Sequence, residues 1–364
     1  MMNAIDRSEI EAVLRKWIDP VLGRDLVSSK MIGVIDSGSE GIFVRVDLGY
    51  PAGERGGVMA NALQSSLIQV FGSVPIKVEV MTRIVSHAVQ KNLKPLQGVK
   101  NIIAVASGKG GVGKSTTAIN LAASLAREGA ATGLLDADIY GPSVPHMLGI
   151  SRRPTVDEAG RIHPVEAFGL KAMSIGLLVE EDQAMIWRGP MVTGALQQLL
   201  NQTLWGDLDY LIIDLPPGTG DIQLSLAQQI PVSGSIVVTT PQDIALLDAQ
   251  RGLSMFRKVG IPVLGLVENM SVHICSQCGH MEPLFGSGGG ERMADRQGVE
   301  LLAQLPLDLE IREQADLGVP LVLARPDHPA AELYQSLALK TAARLALLSR
   351  DYSARFPNIT VLND

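Results

Sequence analysis

Three groups of residues in this sequence have the types and spacing to do chemistry. The first is Gly108-Lys-Gly-Gly-Val-Gly-Lys-Ser-Thr116. Gly108, Gly113, Lys114 and Ser115 fit the G-x-x-x-x-G-K-[ST] spacing of a phosphate-binding loop. Glycines let successive backbone N–H groups converge on phosphate oxygens, and the helix that follows adds its positive N-terminal end. The expected cradle runs through Gly108, Gly110, Gly111, Val112 and Gly113 to Thr116. Lys114 is expected to reach the β- and γ-phosphates, and Ser115 to ligate Mg²⁺. Apolar Ile102–Val105 precedes the loop and helix-forming residues follow it, so it reads as a strand–turn–helix junction.

The second group is acidic. Leu134-Leu-Asp-Ala-Asp138 and Tyr210-Leu-Ile-Ile-Asp214 each carry an apolar run into a carboxylate. That is the strand end at which open α/β sheets bind ligands. Asp136 is expected to hold Mg²⁺ through water, and Asp138 to position or polarise an attacking water. Asp214 fits a Walker B role as a second Mg²⁺ partner. Pro216-Pro217-Gly218 first stiffens and then frees the chain, and a Gly218 amide near a γ-phosphate would sense its loss. Three separate segments therefore agree on one Mg·nucleotide site.

The third group is Cys275-Ser-Gln-Cys278, the two cysteines of the sequence. Thiolates at this spacing can face one soft metal or cluster. Zinc and iron–sulfur centres usually take four ligands, and one chain offers two thiols. Three readings stand on the residues alone. A second subunit brings its own pair to a shared cluster, His273 or His280 completes a zinc site, or the pair is a redox couple or inert.

These groups need elements to hold them. Ile102–Ala106, Thr132–Asp136, Tyr210–Asp214, Ser235–Thr239, Ile261–Val267 and Leu301–Leu305 are apolar at nearly every position. That pattern suits a mostly parallel sheet covered on both faces. With helical stretches between them, the fold class is α/β: a doubly wound P-loop NTPase domain over residues 99–350. The helix after the phosphate loop is expected to end near Glu128-Gly129. Ala330–Arg350 has helical spacing at Leu333, Leu337, Leu345 and Leu348, with Lys340, Arg344 and Arg350 basic. It reads as a packing helix, with a membrane-surface helix as the alternative. Residues 351–364 read as a tail.

Ahead of this domain, residues 5–85 read as a small α+β unit of order αββαβ. A capping box at Ser8 and Glu11 opens its first helix. Met31–Ile35 and Ile42–Leu48 alternate as strands around Ser37–Gly41, Val58–Phe71 is helical, and Ile76–Val80 alternates again. It carries no cysteine and reads as an interaction or regulatory module. Residues 86–98, polar with Lys91, Lys94, Pro95 and Gly98, read as a linker.

At 364 residues, two domains are the natural expectation. The hydrophobic share of 46% with 19% charged residues supplies a buried core. A net charge of −7 argues against a general nucleic-acid surface, and 4% aromatics are too few for base-stacking platforms. No uninterrupted apolar run is long enough to span a membrane, and the N-terminus lacks a signal-peptide pattern. With two clustered cysteines, a reducing cytoplasm is the expected location.

Lys109 makes the phosphate loop resemble the deviant Walker A of the MinD/ParA/nitrogenase-iron-protein/Mrp superclass, in which this lysine crosses a dimer interface to the partner's nucleotide. The loop, Asp136/Asp138, Asp214-Leu-Pro-Pro-Gly-Thr-Gly-Asp221 and the cysteine pair, in this order, resemble the Mrp/ApbC family of P-loop iron–sulfur carriers. So do Trp187–Met191, Val267–Ser271, Phe285–Glu291, Pro306–Arg312 and Ala315–Pro320, and the N-terminal unit is similar to the small assembly-associated domain of bacterial members. The resemblance implies an ATP-binding homodimer with weak ATPase activity that uses Mg²⁺. It implies catalytic roles for Lys109, Lys114 and Asp138, and a base contact at Asn269. Cys275 and Cys278 from two subunits would share one [4Fe–4S] cluster, received from assembly scaffolds and delivered to apo-proteins. No nucleic acid and no stable membrane association are expected. The alternative from the same superclass is a MinD/ParA-like positioning switch without a cluster.

Overall fold

The computed structural model describes residues 5–38, 41–72, 74–139, 141–178, 189–275 and 277–351. Of the segments read above, Tyr140, Trp187, Arg188, Ser276, the turn residues Ser39 and Glu40, and the tail from Tyr352 lie outside the described residues.

In the N-terminal unit, α1 (Arg7–Leu14) starts two residues earlier than the Ser8/Glu11 spacing suggests. Asp6 is the N-cap and forms the capping box with Glu9. Ser8 instead gives its hydroxyl to Asp6 at 2.6 Å, and Glu11 pairs with Arg7 one turn below at 2.9 Å. The helix buries Ile10, Val13 and Leu14. Strand β1 (Ile32–Gly38) pairs antiparallel with β2 (Gly41–Leu48), α2 (Arg55–Phe71) crosses over, and β3 (Ile76–Thr82) returns parallel to β2. In β2 every second residue, Ile42, Val44, Val46 and Leu48, is buried, as period-two alternation on a one-sided sheet requires. Apart from the short antiparallel pairing of Ile18–Asp19 with Arg24–Asp25, the order is the αββαβ read from the sequence.

Residues 83–98 lie along the larger unit. Gln90 donates to the carbonyls of Ala227 (2.8 Å) and Ile230 (3.0 Å) and accepts from Val232 N–H (3.0 Å). The Asn101 amide oxygen accepts from His87 N–H at 3.1 Å. Gln90 thus satisfies backbone groups at the C-terminal end of the Asp221–Gln229 helix, and the side chain of Asn101, on the strand Val99–Ser107, holds the backbone of His87.

The larger unit is an eight-stranded sheet. In chain order its strands are β4 (Val99–Ser107), β5 (Thr132–Asp136), β6 (Val165–Ala167), β7 (Leu170–Ser174), β8 (Leu208–Asp214), β9 (Gly234–Thr239), β10 (Val263–Glu268) and β13 (Leu301–Gln304). Strands β11 (His273–Ile274) and β12 (Met281–Glu282) form a separate hairpin. The spatial order is β6-β7-β5-β8-β4-β9-β10-β13, parallel throughout except for the antiparallel β6–β7 edge. The six strands read from the sequence form its body. β6 and β7 were not read as strands: one has three residues, and Lys171 interrupts the apolar run of the other.

Helices α3 (Lys114–Arg127), α4 (Gly189–Gln202), α5 (Asp221–Gln229), α6 (Asp243–Lys258), α7 (Gly289–Gln297), α8 (Leu309–Asp316) and α9 (Pro329–Ala346) cover the sheet. α3 ends at Glu128 with Gly129 left-handed at φ 92°. α9 buries Ala330, Tyr334, Leu337, Ala338, Leu339 and Leu345, about 1.5–3 kcal/mol for each leucine. That burial makes it a packing helix and leaves the membrane-surface reading without a free apolar face. Among the described residues no helix is long and apolar enough to cross a membrane.

Candidate nucleotide and thiol sites

β4 runs into the phosphate loop at the centre of the sheet. Gly111 and Gly113 take φ of 78° and 81°, the left-handed region where a side chain is strained. Gly108 sits against α6, where an added Cβ would lie 2.3 Å from the Asp248 carbonyl carbon. A Cβ on Gly113 would lie 2.1 Å from the Asn269 amide nitrogen. The Ser107 hydroxyl donates to the Lys109 carbonyl at 2.9 Å and closes the turn. The side chain of Lys109 is half-exposed.

The three predicted carboxylates converge on Lys114, the first residue of α3. Its ammonium lies 2.5 Å from Asp214 Oδ1 and 4.0 Å from Asp138 Oδ2, and donates to Ser115 Oγ at 3.3 Å. Asp136 and Asp214 end neighbouring strands in register and are fully buried. Asp136 accepts from Asp138 N–H (3.0 Å) and Val144 N–H (3.3 Å), and from the Ser174 hydroxyl at 3.1 Å. Burial, and then the Asp214 charge, push its carboxyl up to about 7. Burial also raises Asp214, against the pull of Lys114 and the Ser115 hydroxyl.

Asp214 Oδ2 is buried without a protein partner. An unpartnered carboxylate oxygen, a second buried carboxylate and the Ser115 hydroxyl form a hard oxygen set of the kind Mg²⁺ takes. The residues present therefore fit the ion.

Sequence reasoning missed two residues here. Ser174, on the unread strand β7, orients Asp136. Gln223 on α5 is buried and donates to Pro216 O at 2.5 Å and to Ser107 O at 3.4 Å. Gly218, at φ 107°, donates its N–H to the same Ser107 carbonyl at 3.0 Å. The Pro216–Gly218 turn is thereby tied to the strand that carries the phosphate loop. A glutamine in an amphipathic helix gives no sequence signal for this.

Asn269 follows β10. Its side-chain amide donates to Val112 O at 2.9 Å, so the structure places it against the phosphate loop.

The thiols sit apart, on the β11–β12 hairpin. Cys275 N–H donates to His280 O at 2.9 Å, and Gly279 N–H, at φ 70°, to Cys275 O at 2.8 Å. Cys278 is exposed and Cys275 half-exposed. The backbone N–H groups of Cys278 and Gln277, and then the Cys278 thiol, hold Cys275 below the usual thiol range, as stabilisation of a thiolate requires. Among the described residues no group of three or more His, Cys, Asp or Glu could hold a metal ion. The His273 ring meets Leu307 O at 3.2 Å, and His280 is exposed. Among the described residues, neither histidine is gathered with the two thiols into one set. A cleft of about 930 Å³ lies beside the hairpin, walled by Val272, His273, Ile274 and Met281 on one side and by Asp308 and His328 on the other.

Residues 98–342 match the family model described as NUBPL iron-transfer P-loop NTPase, and residues 7–80 match the model of an iron–sulfur cluster assembly protein. The chain belongs to the NUBPL iron-transfer P-loop NTPase family. Among its relatives, the iron–sulfur cluster carrier protein of Haemophilus influenzae is 48% identical over 345 residues, covering 94% of this chain and 93% of that one. The carrier protein of Pseudomonas fragi is 59% identical over 285 residues, 78% of this chain and 99% of that one. A solved structure in the same fold, the nucleotide-binding protein of Archaeoglobus fulgidus in complex with ADP, shares 37% identity at a TM-score of 0.55. It covers 61% of this chain and 87% of its own. The α/β sheet and the small N-terminal unit are those expected for the family.

Proposed function

We propose that this protein is an ATP-binding iron–sulfur cluster carrier whose two Cys275/Cys278 pairs, one from each subunit of a homodimer, hold a [4Fe–4S] cluster for delivery to apo-proteins. The observation that carries this reading is a thiol pair on a short hairpin, Cys278 exposed and Cys275 half-exposed, two ligands short of a complete set, in a chain with a full Mg·nucleotide constellation. A cubane takes four thiolates, and two such hairpins supply four. The cargo is the substrate. Exposure of Cys278 leaves room for an acceptor's thiolates to replace those of the carrier.

For the nucleotide, the backbone from Gly108 to Thr116 and the Lys114 ammonium bind the phosphates. Ser115, Asp136 and Asp214 would hold Mg²⁺, which would neutralise charge on the transferring phosphoryl group. Lys114 must move off Asp214 to reach a phosphate. Asp138, 4.0 Å from that ammonium, would orient the attacking water. It is the single candidate base we assign, so hydrolysis is slow. Lys109 would act across the dimer, and Asn269, already on the loop, would contact the base. Residues 5–85 are assigned as the assembly-associated domain, 86–98 as its connection, 99–350 as the NTPase and 351–364 as a tail. The proposed setting is the cytoplasm.

The test is transfer. Protein reconstituted anaerobically with iron and sulfide is mixed with the apo-form of a [4Fe–4S] enzyme, and the acceptor's activity is followed. Recovery that requires both cysteines supports the reading. An acceptor that gains no cluster from loaded protein contradicts it.

A further inference from the structure

The phosphate loop and the thiol hairpin are joined by one short stretch, Glu268–Cys275. Its first end is anchored on the loop. Asn269 donates to Val112 O at 2.9 Å, and its amide nitrogen lies where a Gly113 Cβ would be. Its other end is laced to the segment after β13. Ser271 gives both its N–H (2.9 Å) and its hydroxyl (3.0 Å) to Leu305 O, and Leu307 N–H donates to Val272 O at 2.8 Å. His273 bridges to Leu307 and itself opens the hairpin that carries Cys275. Between the two anchored parts stands Met270, half-buried, at φ 56°. A long side chain occupies that left-handed region at a cost in free energy, and such residues persist where the surroundings over-determine them.

We infer that Met270 is a positioning residue that fixes the angle between the Asn269 anchor and the laced limb carrying Cys275 and Cys278, so that movement of the phosphate loop on nucleotide binding reaches the thiols. The physical reason is the narrowness of its conformational well. A bulky residue held left-handed has few neighbouring conformations, whereas glycine has many and would absorb the displacement locally. The cleft beside Val272, His273, Ile274 and Met281 gives the limb room to move. Coupling of this kind is reciprocal, so occupancy of the thiols changes nucleotide affinity by the same factor. The inference deepens the carrier reading and rests on it only for the identity of the cargo.

The test uses the full-length, cluster-free protein. Alkylation rates of Cys275 and Cys278 by iodoacetamide are measured with and without Mg·ATP, in the parent, Met270→Gly and Met270→Asn. In the parent, nucleotide is expected to change the rates by about fivefold or more, the lower end of ordinary coupling between sites. Met270→Asn, which tolerates the left-handed region, keeps that response. Met270→Gly brings the ratio to unity while its ATP affinity and thermal melt stay parental. Three results would each overturn the inference: a parental ratio of unity, a full response in Met270→Gly, or loss of ATP affinity in Met270→Gly, which would place Met270 within the nucleotide site. Because no cluster enters the measurement, its failure leaves the carrier reading to the transfer test, and the reverse also holds.

Discussion

The Lys114 ammonium lies 2.5 Å from Asp214 Oδ1, so the cation that would hold a phosphate is held by the carboxylate that would hold Mg²⁺. The contact couples the two halves of the nucleotide site. A phosphate entering the loop would draw Lys114 away and release Asp214, whose second oxygen already lacks a protein partner. On the proposed assignment, metal and phosphate would therefore bind best together.

Lys114→Ala should lower hydrolysis by about 10²–10³-fold, the cost of removing one preorganised charge donor. It also leaves Asp214 beside Asp136 with no buried cation. Breaking a buried pair costs about 3–5 kcal/mol, and here the cost depends on pH. Below about 7 Asp136 can hold a proton and relieve the repulsion. The melting temperature of Lys114→Ala should fall further below that of the parent at high pH than at low pH. Equal losses across the range would mean the two carboxylates do not share their charge.

Asp136 makes a second pH prediction. Its native value of about 7 lies above the ordinary aspartate value of 3.8, so the native state keeps a proton that the unfolded chain has released. The stability contributed by that proton is present at low pH and is lost as pH rises through about 7. Mg²⁺ needs the ionised form, so Mg²⁺-dependent nucleotide affinity should weaken as pH falls through the same window. Titrations with Mg²⁺ and with EDTA check this: the two curves should converge on the acid side. In Asp136→Asn the Mg²⁺ increment should be small at every pH.

Gly113→Ala should abolish tight nucleotide binding. The residue stands at φ 81°, and the new methyl would meet the Asn269 amide at 2.1 Å. Left-handed strain alone costs about 1–3 kcal/mol, and separation of Asn269 from Val112 adds to it. Isothermal titration with ADP reads the effect. Gly57→Ala, on α2 outside the site and where an added Cβ meets nothing within 4 Å, serves as the mild control.

Cys275→Ala and Cys278→Ala should each remove the cluster's absorbance, while ATP affinity compared between cluster-free proteins stays within about twofold of the parent, because neither thiol lies in the nucleotide site. Retained cluster absorbance in either variant would rule out the proposed ligands.

Much of this site can be read from the residues because its parts are local. A phosphate loop, and a strand that ends in a carboxylate, each lie within one stretch of chain. The sheet positions them almost automatically, since parallel strands in register bring Asp136 and Asp214 side by side. What the sequence hides depends on tertiary neighbours. Ser174 reaches Asp136 only because β7 pairs with β5, and neither β7 nor its three-residue neighbour has a readable period. Gln223 looks like any polar residue of a surface helix, yet it is buried against the Pro216 carbonyl. The first helix shows the same limit at short range. Ser8 and Asp6 each stand three residues ahead of a glutamate, and the Asp6–Glu9 pair, passed over in the sequence reading, is the one that closes. The left-handed backbone at Met270 has no sequence signature, because methionine seldom adopts it.

The most direct measurement of the central claim is stoichiometry against assembly state. After anaerobic reconstitution, iron, sulfide and zinc are counted in protein whose mass is measured in the same sample, with and without ATP. The account predicts about four iron and four sulfide per two chains, the content of one shared cubane, all of it in the dimer and none in variants lacking either cysteine. One zinc per chain, or a full cluster complement on a monomer, would contradict it.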